Sequence, residues 1–245
     1  IIDCAAQRIL GPHVWQIDAE KRPDKAHLDI SHYKNLSWSE IRKIEELSNR
    51  IVLDARPIHL KFMKRTEAER KYGVRIYQGG AVPAATLRIV DIDGWDVEAC
   101  GGTHLTNTIH VGPIKIINTK KIHDGVIRIE FVAGEQAIKY ISENEKYLVD
   151  ACNVLRVQPE NLPKVVNRFF SEWKKQRDEL SKLWRILVSN IDRIVGGSIS
   201  VVNGKKFLLT RLDIDLKFLF EAIRKLEKEA DNILRISRIG NPLNR

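Results

Sequence analysis

The sequence predicts an α+β protein: a mainly antiparallel-sheet domain, then a long helical hairpin and a small C-terminal α/β piece. Three observations carry this. Between Pro57 and Gly134 the apolar residues recur with a period near two, with Gly and Pro clusters between the runs. From Gly134 onward they recur at steps of three and four. Asn203-Gly204 then separates two strand-like runs, the pair a type I′ hairpin turn needs. The expected domains are residues 1–135, 136–195 and 196–245.

Taken in order, residues 1–10 read as a helix closed by Gly11-Pro12, since Gly past the end and Pro beyond it stop a helix. Extended segments at His13–Ile17 and Ala26–His32 flank a polar stretch, Asp18 to Lys25, read as a long hairpin loop. Ser37-Trp38-Ser39-Glu40 fits a capping box, and Ile41, Ile44, Leu47 and Ile51 follow at helical spacing. Strands are expected at Ile58–Met63, Ala85–Ile92, Trp95–Ala99, Ile114–Thr119 and Val126–Val132, with a short polar helix at Thr66–Tyr72. Gln136–Leu155 and Leu162–Arg193 read as two helices joined at Pro159 and Pro163, hence an antiparallel arm. The second carries a heptad-like stripe of Val166, Phe169, Trp173, Leu180, Leu183 and Leu187. After the Ser198–Val202 and Lys205–Leu212 hairpin, a last helix over about Asp215–Ile233 places Leu216, Leu219, Phe220, Ile223 and Leu226 on one side. Residues 234–245 read as a frayed basic tail.

With 43% hydrophobic and 30% charged residues, the chain can bury a core. No apolar run approaches the roughly eighteen residues that a membrane span requires, so no membrane partner is expected. Cys4, Cys100 and Cys152 are odd in number and far apart, which argues against a disulfide framework and for a cytoplasmic setting. The opening, Ile1-Ile2-Asp3-Cys4, begins mid-pattern without a basic leader, as expected of a fragment. Charge is uneven. Residues 1–137 hold 20 Lys+Arg against 18 Asp+Glu, whereas residues 138–245 hold 21 against 14. The basic second half points to a polyanionic partner, and Lys174, Lys175, Arg177, Lys182 and Arg185 on the helical arm are the candidate RNA contacts.

The sharpest chemical feature is Cys100-Gly101-Gly102-Thr103-His104. A thiolate and an imidazole four positions apart reach one metal ion, and zinc suits the mixed sulfur–nitrogen pair. Gly101 and Gly102 allow a tight backbone and expose amide N–H groups. The competing reading is a buried Cys near a surface His. No second Cys or His pair is present, so the set is two ligands short. His13 and His32 read as strand residues with satisfied rings, and His27 as surface. Asp91, Asp93, Asp96 and Glu98 read as solvated carboxylates around the Gly94 turn. No phosphate loop and no nucleophile elbow is present.

Gly94-Trp95-Asp96-Val97-Glu98-Ala99-Cys100-Gly101-Gly102-Thr103-His104 resembles the editing domain of the alanyl-tRNA synthetase family in its archaeal style. So do Leu10-Gly11-Pro12-His13-Val14-Trp15-Gln16 and Leu28-Asp29-Ile30-Ser31-His32-Tyr33, and the resemblance covers about residues 1–135. It implies hydrolysis of mischarged seryl- or glycyl-tRNA, with tRNA(Ala) as partner. It implies zinc held by Cys100 and His104 together with a His-x3-His pair expected immediately upstream of Ile1. It implies Gln16, Thr103 and the Gly101 and Gly102 amides as catalytic-pocket residues. The arm and C-terminal piece correspond by position to the family's tRNA-binding and dimerisation region, so a homodimer is expected. Two other readings compete: a tRNA-binding and dimerisation module without activity, and a freestanding trans-editing protein.

Overall fold

Ser37 starts the helix that organises the first half of the chain. In the computed structural model its hydroxyl accepts from the Glu40 N–H, and the Glu40 carboxylate accepts from the Ser37 N–H at 2.7 Å, a complete capping box. The structure describes residues 1–77, 80, 84–191, 193, 199–209, 216–226 and 232–235. They divide into two compact units, Ile1–Ala151 and Cys152–Arg245.

The first unit holds α1 (Ile2–Leu10), β1 (Gln16–Lys21), β2 (Ala26–Ser31), α2 (Trp38–Leu53), β3 (Ile58–Lys64), α3 (Arg65–Tyr72), β4 (Thr86–Ile92), β5 (Asp96–Ala99), β6 (Ile114–His123) and β7 (Val126–Ala133). Helix α4 (Glu135–Leu155) follows and crosses the boundary between the units. The strands form two antiparallel sheets rather than the one expected, ordered β1-β2-β7-β6 and β3-β4-β5. Alternation of apolar residues shows that each strand has a buried face but not against which layer.

The four-stranded sheet turns Leu28, Ile30, Ile116, Ile127 and Ile129 toward α1 and α2, which contribute Ala5, Ala6, Ile44 and Ile51 to the same core. The opposite face is polar, and there Arg128 on β7 grips Asp29 on β2 through two 2.7 Å bonds, Nε to Oδ1 and Nη2 to Oδ2. Edge strand β6 is finished by α2. Asn49 donates to the Ile114 carbonyl and accepts from the Ile114 N–H, both at 2.8 Å, and Glu45 accepts from the Ile116 N–H at 2.8 Å. These side chains satisfy backbone groups that an exposed edge would leave open.

The smaller sheet packs Leu87 and Ile89 against Ala68 of α3 and Ile76, with Met63, Val97 and Ala99 beside them. Its other face carries Phe62, Arg88 and Cys100. Thr108, fully buried, ties the segment after this sheet to α2 by donating to the Ile51 carbonyl at 2.8 Å.

Two expectations for the first unit need correction. The polar run from Asp18 is strand as far as Lys21, because β1 is an exposed edge and needs no apolar face. Strand β6 likewise runs past Thr119 to His123.

In the second unit α5 (Leu162–Ser189) is interrupted by a turn at Asn190, and Ile191 and Arg193 beyond it are again helical, as far as the expected Arg193. The Asn203-Gly204 turn joins β8 (Ile199–Val202) to β9 (Lys205–Leu209), with φ of 50° and 77° as a type I′ turn requires. Helix α6 (Leu216–Leu226) is shorter than expected, and β10 (Asn232–Arg235) runs parallel to β9 where helix and tail were anticipated. A four-residue strand is too short to announce itself by periodicity, whereas the apolar pattern of α6 was strong enough to seem to run through it. Among the described side chains of α6, Phe218, Ala222 and Leu226, one i,i+4 row, are buried and Phe220 points outward, while the expected Leu216 and Leu219 side chains lie outside the described ones. Phe218 stacks on Trp184, docking α6 on α5. The remaining expected positions of this piece, 196–198, 210–215, 227–231 and 236–245, lie outside the described residues.

Candidate functional site

Strand β5 delivers Cys100, and β4 fixes its backbone: the Cys100 N–H donates to the Arg88 carbonyl at 3.0 Å. The Arg88 guanidinium then gathers the loop. It donates to the Cys100 carbonyl at 3.0 Å and to the Gly102 carbonyl, and lies 3.5 Å from His104 Nδ1. The loop therefore folds back on itself. A Cβ placed on Gly102 would sit 3.6 Å from Cys100 Sγ and 3.9 Å from His104 Cε1, so thiol and imidazole converge over this glycine. Neither Gly101 nor Gly102 has a left-handed φ, and a Cβ at Gly102 would meet the thiol and the ring only at ordinary van der Waals distance. Around Gly101 there is open space.

His104 is held below the usual imidazole range, first by burial and then by the Arg88 charge, with Lys21 acting in the same direction. A neutral ring is the form that ligates a metal. Glu98, two residues before Cys100, is pushed up to about 7 by burial and by the neighbouring Asp96. It is thus half-buried rather than solvated, against expectation, because Asp3 and the start of α1 lie over this strand. Helix α1 is anchored there by Cys4 Sγ and Arg8 Nη2, which donate to the Trp95 carbonyl at 3.3 and 3.4 Å. Burial, aided by Asp96, raises the Cys4 thiol to about 11, so Cys4 is an inert packing group.

The other predicted residues are placed as follows. Thr103 is exposed in the loop, one residue before His104. Gln16, half-buried, opens β1 opposite Ile30, immediately before a bulge that breaks the register ahead of Asp18. Bulges often re-aim side chains beside functional sites. Lys174, Lys175, Lys182 and Arg185 are exposed on α5, and no ion pair joins them among the described residues. Arg177 lies over the Trp173 ring, 5.0 Å from its centroid.

Sequence reasoning missed Arg88. Its signal was a lone cation in the apolar run Leu87-Arg88-Ile89-Val90, where a strand turns one side chain to the opposite face. It also missed a cluster of Asp18, His27 and Asp29, whose ligating atoms lie within 4.8 Å of one another. Cross-strand register opposes Asp18 to Asp29, which spacing in the chain does not reveal. Arg128 supplies the countercharge for both carboxylates. His13 Nε2 and His32 Nδ1 are 2.8 Å apart, and the buried His32 is lowered by burial and then by His13.

Residues 87–130 match the family described as Threonyl and Alanyl tRNA synthetase second additional domain. The relatives are more particular. The chain is 45% identical over 236 residues to the alanine–tRNA ligase of Methanopyrus kandleri, covering 96% of this chain and 26% of that protein. It is 44% identical to the alanine–tRNA ligase of Thermococcus kodakarensis over 97% of this chain and 26% of the relative. It is 42% identical to that of Sulfurisphaera tokodaii over 98% of this chain and 26% of the relative. The chain is therefore homologous along almost its whole length to one segment of archaeal alanine–tRNA ligases, and spans about a quarter of the curated relatives it matches. No helix among the described residues is long and apolar enough to cross a membrane.

Proposed function

We propose that this chain is part of the editing region of an alanine–tRNA ligase, the region that, with its upstream metal ligands in place, hydrolyses the ester of mischarged seryl- or glycyl-tRNA(Ala). The observation that carries the proposal is the convergence of Cys100 and His104 over Gly102, on a loop that Arg88 holds shut. Hydrolytic correction is needed because an apolar pocket discriminates weakly among small side chains.

The donor set fits zinc in part. A thiol and a neutral imidazole are suitable ligands, yet among the described residues no third Cys, His, Asp or Glu joins them, and a zinc site takes three or four protein ligands. We assign the remaining two to a His-x3-His pair upstream of Ile1. The placement of α1 is compatible with this: Cys4 and Arg8 tie the helix to the Trp95 carbonyl, at the start of the segment that leads to Cys100. Zinc, when bound, polarises the ester or its attacking water. The residues of the chain then position the substrate. The Gly101 and Gly102 amides and the Thr103 hydroxyl face solvent at the loop and are suited to orient the amino-acid moiety. Gln16 shapes the pocket from β1.

The α5 cations Lys174, Lys175, Lys182 and Arg185, with Arg177, form the RNA-binding arm of the same proposal. The exposed stripe of Val166, Phe169, Trp173, Leu180 and Leu183 on α5 supports a dimer contact. In this reading residues 1–135 edit, 136–195 form the arm and 196–245 bind tRNA or dimerise, in the cytoplasm.

The test is deacylation of seryl-tRNA(Ala), with bound zinc quantified, on this chain and on a longer version that adds the upstream histidines. Hydrolysis by the longer form, abolished by Cys100→Ser and by His104→Ala, supports the proposal. If the longer form binds tRNA but holds no metal and cleaves nothing, the chain is a binding and dimerisation module instead.

A further inference from the structure

Phe62, Arg88 and Cys100 form one row across the smaller sheet. Phe62 is the direct cross-strand partner of Arg88, and Cys100 bonds to the Arg88 backbone from the other side. Directly opposed residues of an antiparallel pair project on the same face. The Phe62 ring therefore stands on the face that carries Arg88 and the Cys100–His104 loop, two strand spacings, about 10 Å, from Cys100. That distance is of the order of a nucleoside.

This end of the face is open. Phe62 is 75% exposed and Leu60, two residues along the same face, 44%. The opposite face buries Met63, Leu87 and Ile89 against the α3 side, so folding does not require an aromatic ring at position 62. The charge beside the ring follows the same division. Lys61, on the packed side, pairs with Asp91 at 3.7 Å, whereas Lys64, on the Phe62 side, enters no ion pair among the described residues. An exposed ring beside an unpaired cation is the arrangement that takes a base and its phosphate. An apolar protein partner would use the ring and Leu60 but gain nothing from Lys64.

We infer that Phe62 and Lys64 form a seat for the 3′-terminal nucleotide of the RNA: the base stacks on Phe62, Lys64 meets a phosphate, and the ribose ester extends past Arg88 toward Cys100 and His104. This rests on the editing reading above and names where the end of its substrate lies.

The probe is an uncharged RNA hairpin with a single-stranded 3′ tail whose last base is 2-aminopurine, titrated with the chain. Fluorescence is quenched on binding. Phe62→Ala abolishes the quenching and weakens binding roughly 5- to 150-fold, the range for loss of one base–aromatic stack. Phe62→Trp retains both, and Phe62→Leu, apolar but without a ring, does not. Lys64→Ala lowers the salt dependence of binding by about 0.7 in log–log slope, one single-strand phosphate contact. Unchanged quenching in Phe62→Ala overturns the seat, as does a Phe62→Leu variant equal to the parent. Loss of self-association in Phe62→Ala with quenching intact overturns it in favour of a protein contact. The two readings fail separately. Hydrolysis of seryl-tRNA(Ala) by the longer form with Phe62-independent quenching removes the seat and leaves editing, whereas Phe62-dependent quenching with no hydrolysis even by the longer form removes editing and leaves the seat.

Discussion

Arg88 and Cys100 hold each other in both directions across β4 and β5. The Cys100 N–H donates to the Arg88 carbonyl at 3.0 Å, and the Arg88 guanidinium donates back to the Cys100 carbonyl at 3.0 Å. One side chain thereby sets the loop geometry and the charge that His104 feels. The two effects are separable. In Arg88→Ala the metal-free His104 titrates at higher pH, because a positive neighbour that opposed its protonation is gone. In Arg88→Lys the charge stays, so His104 remains low, but the Nη1 group that donates to both the Cys100 and Gly102 carbonyls is lost. Amide exchange at residues 100–104 should then quicken about tenfold in both variants, as expected for losing charge-assisted hydrogen bonds. NMR titration and hydrogen exchange check the two halves.

The Ser37–Glu40 box predicts an acid limb in the stability curve. Glu40 is held at about 2, against an ordinary value of 4.5, by the Ser37 N–H and hydroxyl. A depressed carboxyl favours the folded state when ionised. Its contribution is therefore complete above about pH 4.5 and lost as pH falls through about 2. Glu40→Gln should be less stable than the parent at neutral pH, and the gap should close over that interval. Urea unfolding at several pH values measures it; a gap that does not change with pH would sink the idea. Ser37→Ala should cost about 1 kcal/mol at neutral pH.

Gly112 stands against a second glycine. Its φ is +69°, and an added Cβ would lie 2.9 Å from Gly134 Cα, where backbone cannot yield cheaply. Gly112→Ala is expected to destabilise by about 1–3 kcal/mol from the left-handed torsion alone. Gly125→Ala, at φ +81° but with open space around it, carries only the torsional cost. Paired thermal melts should place Gly112→Ala clearly lower.

RNA affinity carried by α5 should be electrostatic. Replacing Lys174, Lys175, Lys182 and Arg185 together with Ala should flatten the log K against log salt line by about 0.7–0.9 for each phosphate that is no longer neutralised. Fluorescence anisotropy across a salt series gives the slope. An unaltered slope would move the RNA-binding surface off this helix.

Much of this was legible in the sequence because it is local. The capping box, the Asn203-Gly204 turn, the Gly11 stop and the Cys100–His104 pair each depend on residues within a few positions of one another. What escaped depends on register. Nothing in the spacing of Asp18 and Asp29 says that they face each other, nor that Arg128, about a hundred residues on, stands beside them. Arg88 escaped for the same reason, since its partners lie on the next strand. The division into two sheets was invisible because alternation reports a buried face, not the layer that buries it. Exposed strand β1 was mistaken for loop because polarity on an edge looks like polarity in a turn.

Asn49 and Glu45 terminate the larger sheet with side chains in place of a further strand. The order of the chain gives this a consequence for biosynthesis. Helix α2 leaves the ribosome more than fifty residues ahead of β6, so the cover is made before the edge it covers exists. The partners of the Ile114 and Ile116 backbone groups are therefore already synthesised when this end of β6 emerges, and covering it requires only that α2 has formed by then.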